Sequence, residues 1–199
     1  MQKIEMAEAK KENMTPTEKM QKQYDRLIAA RNYHYDNLNK WLMTFYVIIG
    51  ALFVAFYTLY SKGATMEVEM IVAIVGYLVS LSAFLSGKGY SYWEHLWMDK
   101  IHHFEKHVLG YEDDMQVYAY LVDPKKHDKP CHPFKGANVS TTKMALFMTA
   151  TITVAWGVII LTVRFPQLCP AISIAISVVV SYLLMLGGTK MFPSIEKKK

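Results

Sequence analysis

Four of the chain's seven histidines fall within one stretch, Ser91–Leu109 (SYWEHLWMDKIHHFEKHVL). On a helix, His95, Asp99 and His102 share a stripe, and His103 and His107 stand one turn apart. Imidazole and carboxylate groups at such spacing are ligands for first-row metals. A second candidate is Arg31-Asn32-Tyr33-His34, which places a fixed cation one turn from a group able to move a proton. Two features weigh against a metal. Lys106 lies on the His95 face and would repel a cation. The other histidines, His34, His127 and His132, belong to no cluster. The bland expectation for this face is a solvated or partner-facing polar surface.

Both patterns have family parallels. Four-span membrane desaturases and hydroxylases hold iron with several histidine boxes on two cytosolic segments. A metal-dependent membrane oxidase or hydroxylase using His95–His107 is therefore the enzymatic alternative. Arg31 and His34 resemble the metal-independent ribonuclease centre of HEPN domains, but only two residues separate them here, fewer than in that centre. The favoured expectation is a protein with no catalytic residues, no metal and no cofactor.

The elements that position these residues read clearly. Trp93, Trp97, Ile101, Phe104 and Val108 are spaced 4, 4, 3 and 4 and form one apolar stripe, opposite His95, Asp99, His102 and Lys106. Residues 91–109 thus form an amphipathic helix, stopped by Gly110 and hinged to what precedes it at Gly87-Lys88-Gly89. Glu94 and Glu105 lie on one edge of the stripe. Upstream, Thr15-Pro16-Thr17-Glu18 is a helix start with a capping box. No glycine or proline follows until Gly50, so one helix runs from about Pro16 to near Ser61. Tyr24, Leu27, Ile28, Tyr35 and Leu38 form its apolar stripe before the membrane. Arg31 interrupts that stripe. A desolvated guanidinium requires a partner, and Glu94 is the expected one, ahead of Glu105.

Four runs contain no charged residue: Trp41–Ser61, Met70–Gly87, Met144–Val163 and Phe165–Thr189, of 21, 18, 20 and 25 residues. A hydrocarbon core of roughly 30 Å needs about 20 apolar residues in a helix, and only helices or closed barrels span it. The fold class is therefore all-α: four transmembrane helices in two hairpins, with a long N-terminal cytosolic extension and a cytosolic amphipathic helix. Lysine and arginine number eight in 1–40, eight in 88–143 and four in 187–199, against Lys62 and Arg164 alone in the short connections. By the positive-inside rule both termini and the middle loop are cytoplasmic. The net charge of +5 is mostly this topology signal. It favours anionic headgroups rather than direct nucleic-acid binding. The charged first 40 residues do not read as a signal peptide. Cys131 and Cys169 fall on opposite sides and cannot pair. Residues 112–122 leave a short strand open, and 123–136 read as loop.

Small residues mark the packing faces. Ala73, Gly76, Ser80, Ala83 and Gly87 are spaced 3, 4, 3 and 4. Thr149, Thr153 and Gly157 mark the third span, and Ser173, Ser177 and Ser181 the fourth, which Gly187-Gly188 is expected to end. Such stripes let helices approach closely. No acid, base or histidine lies inside a span, as proton relays and coupled transporters need. No broken helix pair, phosphate loop or nucleotide fingerprint is present.

The layout resembles the small multi-span membrane accessory proteins of bacterial antiviral loci. The nearest are those beside type VI-B CRISPR RNA-guided ribonucleases; the membrane effectors of nucleotide-signal systems are more distant. The resemblance rests on the arm ending in Arg31-Asn32-Tyr33-His34-Tyr35-Asp36, on Trp41 and a span with Gly50-Ala51-Leu52-Phe53, and on the Trp93-Glu94 helix and the chain length. It implies a bacterial inner-membrane protein that homo-oligomerises and disturbs the bilayer, with a possible cytosolic protein partner; a pure scaffold for that partner is the other alternative. The expected segments are an arm (1–40), a first hairpin (41–87), a middle loop (88–143), a second hairpin (144–189) and a basic tail (190–199). Arg31, His34, Trp93, Glu94, Trp97 and Glu105 are the expected coupling residues.

Overall fold

The computed structural model describes residues 15–112 and 140–191. These form four helices and, among the described residues, no strand: α1 (Pro16–Ser61), α2 (Met66–His107), α3 (Thr141–Arg164) and α4 (Pro170–Met191). Each is long and apolar enough to cross a membrane. The short strand considered beyond Glu112, the 123–136 loop, Cys131, His127, His132 and the tail from Phe192 lie outside the described residues.

The helix ends follow local chemistry. At the start of α1, Glu18 N donates to Thr15 Oγ1 at 3.2 Å while Thr15 N donates to Glu18 Oε2 at 2.8 Å. This is the reciprocal capping box, which satisfies two amide donors that no helix can. At the other end, Gly63 has φ 67°. That conformation lets Ala64 N reach Leu59 O at 3.1 Å and Gly63 N reach Tyr60 O at 3.2 Å, the glycine-closed helix end. Glu67 and Glu69 then occupy the first turn of α2, where the helix dipole favours acids. Ser140 caps α3 by accepting from Lys143 N. Pro170 opens α4, where a missing N–H costs nothing.

Two expectations about glycines are corrected. Gly87-Lys88-Gly89 is no hinge: α2 continues through it without interruption. The reason is packing, since a Cβ on Gly87 would sit 3.1 Å from Leu146 Cδ2. Gly87 serves close approach to α3. Gly187-Gly188 likewise does not end the fourth helix, which runs to Met191. A Cβ on Gly188 would fall 2.7 Å from Leu85 Cδ1, so here too the missing side chain admits a neighbour.

The chain divides into two compact units, one from residues 1–36 and 93–138, the other from 37–92 and 139–199. In the first, Tyr24, Ile101 and Phe104 form a buried cluster with Leu27, Ile28 and Leu109 packed on it. Burial of each large apolar side chain contributes roughly 1.5–3 kcal/mol. Val108 is 42 % exposed and does not join the stripe expected for it. The helix stops at His107, Gly110 takes φ 67°, and the turned chain delivers Leu109 instead. The second unit holds the membrane stretches. Apart from Trp156, its most buried residues are small or hydroxylated: Ala73, Ser80, Ala83, Thr149, Thr153, Ser173 and Ser181 are each at most 1 % exposed. Its bulky aliphatic side chains mostly point out.

Candidate functional site

In the first unit the chemistry centres on a buried carboxylate. Glu105 is fully buried and accepts a hydrogen bond from Tyr24 Oη at 2.5 Å through Oε1. The Tyr24 ring lies stacked on Phe104, centroids 6.2 Å apart, and edge-on to Tyr111 at 6.5 Å. A phenol drawn into an apolar cluster must find an acceptor, and a buried carboxylate must be hydrogen-bonded. Each therefore makes the other's burial tolerable. Tyr111 N closes the arrangement by donating to Glu105 O at 2.9 Å.

The sequence reading put Glu105 on the edge of the stripe as a second choice for Arg31. The structure brings it to Tyr24, a residue read only as part of an apolar stripe. The available signal was the tyrosine itself: a phenol among Leu27 and Ile28 needs a partner, and Glu105 adjoins Phe104, one turn beyond Ile101. Arg31 is half-buried. Its Nη1 donates to Asn32 Oδ1 at 3.2 Å, and its guanidinium carbon lies 5.4 Å from the Tyr35 ring centre. His34, Trp93, Glu94 and Trp97 are likewise half-buried, and Lys100 Nζ sits 5.3 Å from the Trp97 ring. Beside the cluster, Gln23, Leu27, Leu96, Asp99, Lys100 and His103 border an open groove of about 400 Å³.

His95, Asp99, His102 and Lys106 are all exposed. The His103 and His107 rings lie 4.6 Å apart, also exposed. Among the described residues, no three histidine, cysteine, aspartate or glutamate side chains converge on a metal position.

The second unit is organised around Trp156, which is fully buried. Phe53 stacks on the indole at 4.2 Å and 16°, and Phe56 meets it edge-on at 6.0 Å. On Gly76 a Cβ would overlap the same indole. Trp156 is thus held between an aromatic ring and bare backbone. The hydroxyls of this unit are largely bonded within it. Ser177 Oγ donates to Val154 O at 2.7 Å, Tyr77 Oη and Ser181 Oγ are 3.0 Å apart, and Ser80 and Thr153 donate to carbonyls one turn back at 2.8 Å. A Cβ on Gly157 would overlap Ser177 Oγ. Among the described residues, Trp156 Nε1 and Ser173 Oγ are buried with no hydrogen-bond partner.

Residues 21–165 match the model of the Octameric membrane protein family (8xMP). The chain belongs to this family. The match covers about three quarters of the 199 residues and takes in most of α1, all of α2 and all of α3. Both the Tyr24–Glu105 pair and the Trp156 centre fall within the 8xMP region, whereas α4 lies beyond it. No curated protein and no solved structure matches the chain. As an 8xMP protein with four membrane-length helices, it is a membrane protein of an oligomeric family.

Proposed function

We propose that this protein is a non-enzymatic effector or accessory protein of a bacterial antiviral defence system, and that it assembles as an octamer in the inner membrane and perturbs or permeabilises it. The observation that carries the reading is membership of a family named for octamers. The layout that resembles accessory proteins of type VI-B CRISPR loci points the same way. So do spans without acids or bases, which suit bilayer disturbance better than coupled transport. Both termini and the 88–143 segment face the cytoplasm. There the Tyr24–Glu105 cluster forms a layer able to receive a cytosolic partner, and Arg31 pairs with Glu94.

The test is phage challenge of cells with and without the full chain, with a membrane-potential dye followed through infection. Depolarisation and reduced plaquing that depend on the chain are expected. Unchanged potential and plaquing with the octamer present in the membrane would sink the reading. Topology is checked separately: an impermeant thiol reagent on intact cells should label Cys169 and spare Cys131. The Arg31 pairing is checked by charge exchange. Arg31→Glu should lose activity while still inserting, and adding Glu94→Arg should recover part of it.

A further inference from the structure

The groove beside the Tyr24 cluster has an apolar floor between two polar banks. Leu27 and Leu96 are half-buried on the floor, and Phe104 is 8 % exposed beneath them. The banks are edges of α1 and α2, both within the first unit. At about 400 Å³ the concavity has room for more than one side chain.

The banks carry one sign of charge. On α1, Gln23 stands at the rim, with Lys19 and Arg26 one turn to either side of it, both exposed. The acids of this part of α1, Glu18 and Asp25, fall about 140° and 160° around the helix from Gln23. On α2, Lys100 and His103 line the groove, and His107 follows one turn on, its ring 4.6 Å from that of His103. The Lys100 ammonium is steadied 5.3 Å from the Trp97 ring centre. Asp99 is the one acid that borders the groove among the described residues. Lys19, Arg26 and Lys100 outweigh it, and the imidazoles add further N–H donors.

We propose that this groove docks an acidic segment of a cytosolic protein: an apolar side chain of the partner seats against Leu27, Leu96 and Phe104 while its carboxylates meet Lys19, Arg26 and Lys100. The inference rests on the reading above of this unit as a layer that receives a partner, and it names that partner's chemistry. The charge of the banks selects an acidic occupant. The floor selects a peptide among anions. A bilayer surface is flat, so it would touch the banks and leave the apolar floor uncovered. A single-stranded nucleic acid would need open aromatic faces on which to stack its bases. The aromatic ring here, Phe104, is buried and already stacked on Tyr24.

The test uses the full chain in phosphatidylcholine nanodiscs and a short fluorescein-labelled peptide in which glutamates flank leucines, followed by fluorescence anisotropy. The peptide should bind, and binding should weaken as salt is raised. Serine in place of its leucines should cost about tenfold or more. Lys100→Glu should weaken binding about fivefold or more. Lys22→Glu makes the same charge change about 140° around α1 from Leu27 and should stay within twofold. No binding would overturn the proposal. So would equal affinity for the serine peptide, or an equal loss in both variants, since charge alone would then explain the contact. Displacement of the peptide by anionic phospholipid vesicles would assign the banks to a membrane surface, and tighter binding of a single-stranded RNA of equal charge would assign them to nucleic acid; either overturns it. Loss of the oligomer in Lys100→Glu, read by native mass spectrometry, would give the groove to a neighbouring copy and overturn it as well. The effector reading fails separately. A chain that binds the peptide but never depolarises infected cells keeps the docking surface and loses that reading, and depolarisation without peptide binding does the reverse.

Discussion

The two units are built by opposite rules. Around Tyr24 the interior is an apolar cluster tied to a buried carboxyl group, and the exposed face carries His95, Asp99, His102 and Lys106. Around Trp156 the interior holds serine, threonine, glycine and alanine, and the outside carries isoleucine, valine and leucine. Water drives apolar groups inward in the first. Lipid gives no such drive in the second, so close backbone approach and hydrogen bonding must hold the helices. The same residue change should therefore act differently in each.

The largest effect expected is from filling the small-residue seam. Gly76→Leu places a branched side chain where even a Cβ overlaps the Trp156 indole. Overpacking typically costs about 1–3 kcal/mol and sometimes more, and here the obstructed neighbour is a rigid ring pinned by Phe53. The purified variant should lose several degrees of thermal stability in detergent, and Ser80→Leu should follow it. Unchanged melting for both would mean that the seam is not what holds this unit together.

Next in size is the polar link in the apolar cluster. Tyr24→Phe keeps the ring stacked on Phe104 and removes the donor to a fully buried carboxylate. Leaving a buried polar group short of a bond costs about 1–3 kcal/mol. Glu105→Leu removes the acceptor and leaves the Tyr24 phenol to satisfy, so it too should open the cluster. Limited proteolysis near Glu112 reads this unit apart from the spans. Unchanged protection in both variants would show that this link does not hold the cluster together.

A smaller effect is expected from Ser177→Ala. It deletes one bond to Val154 O, and such bonds within membranes average about 0.6 kcal/mol. It also leaves more room beside Gly157, where a Cβ would now overlap less. The melting temperature should move by a degree or two at most. A large drop would place hydrogen bonding above close packing in this unit.

The four helices and the capping box could be read from the sequence because each rests on local pattern: charge-free length, and Thr15 with Glu18 three residues on. The stripe Ala73, Gly76, Ser80, Ala83 and Gly87 could be seen as one face, but not which side chain lay over it. Trp156 falls in the third span, and nothing local announces that its indole covers Gly76. The glycine misreadings have one cause. Gly87, Gly89, Gly187 and Gly188 look like breaks when read by propensity, whereas Gly87 and Gly188 are places where Leu146 and Leu85 come close. The Tyr24–Glu105 pair was missed for a similar reason. Helical periodicity ranks residues by polarity along one helix, and a bond spanning 81 residues is invisible to it.

The smallest effect concerns the start of α1, and it tests whether the polar unit responds to acid at its exposed edge. The Thr15 backbone N–H, and secondarily its hydroxyl, hold the Glu18 carboxyl below its usual value of 4.5. A carboxylate with a lowered pKa stabilises the state that lowers it. The contribution is fully present above the ordinary value and is lost as pH falls through the lower, capped one. Hydrogen exchange at the Thr15 and Glu18 amides should therefore stay protected, after correction for intrinsic rates, down to about pH 4.5 and weaken below it. Glu18→Gln keeps an acceptor but cannot titrate, so its protection should be lower at neutral pH and flat across the same range. The Tyr24–Glu105 cluster lies farther along the helix than one terminal turn, and dipole and capping effects fade over that distance. Its protection should not follow that of the cap. If the two fall together, the cap is coupled to the cluster, and the first unit unfolds from its end as a single block.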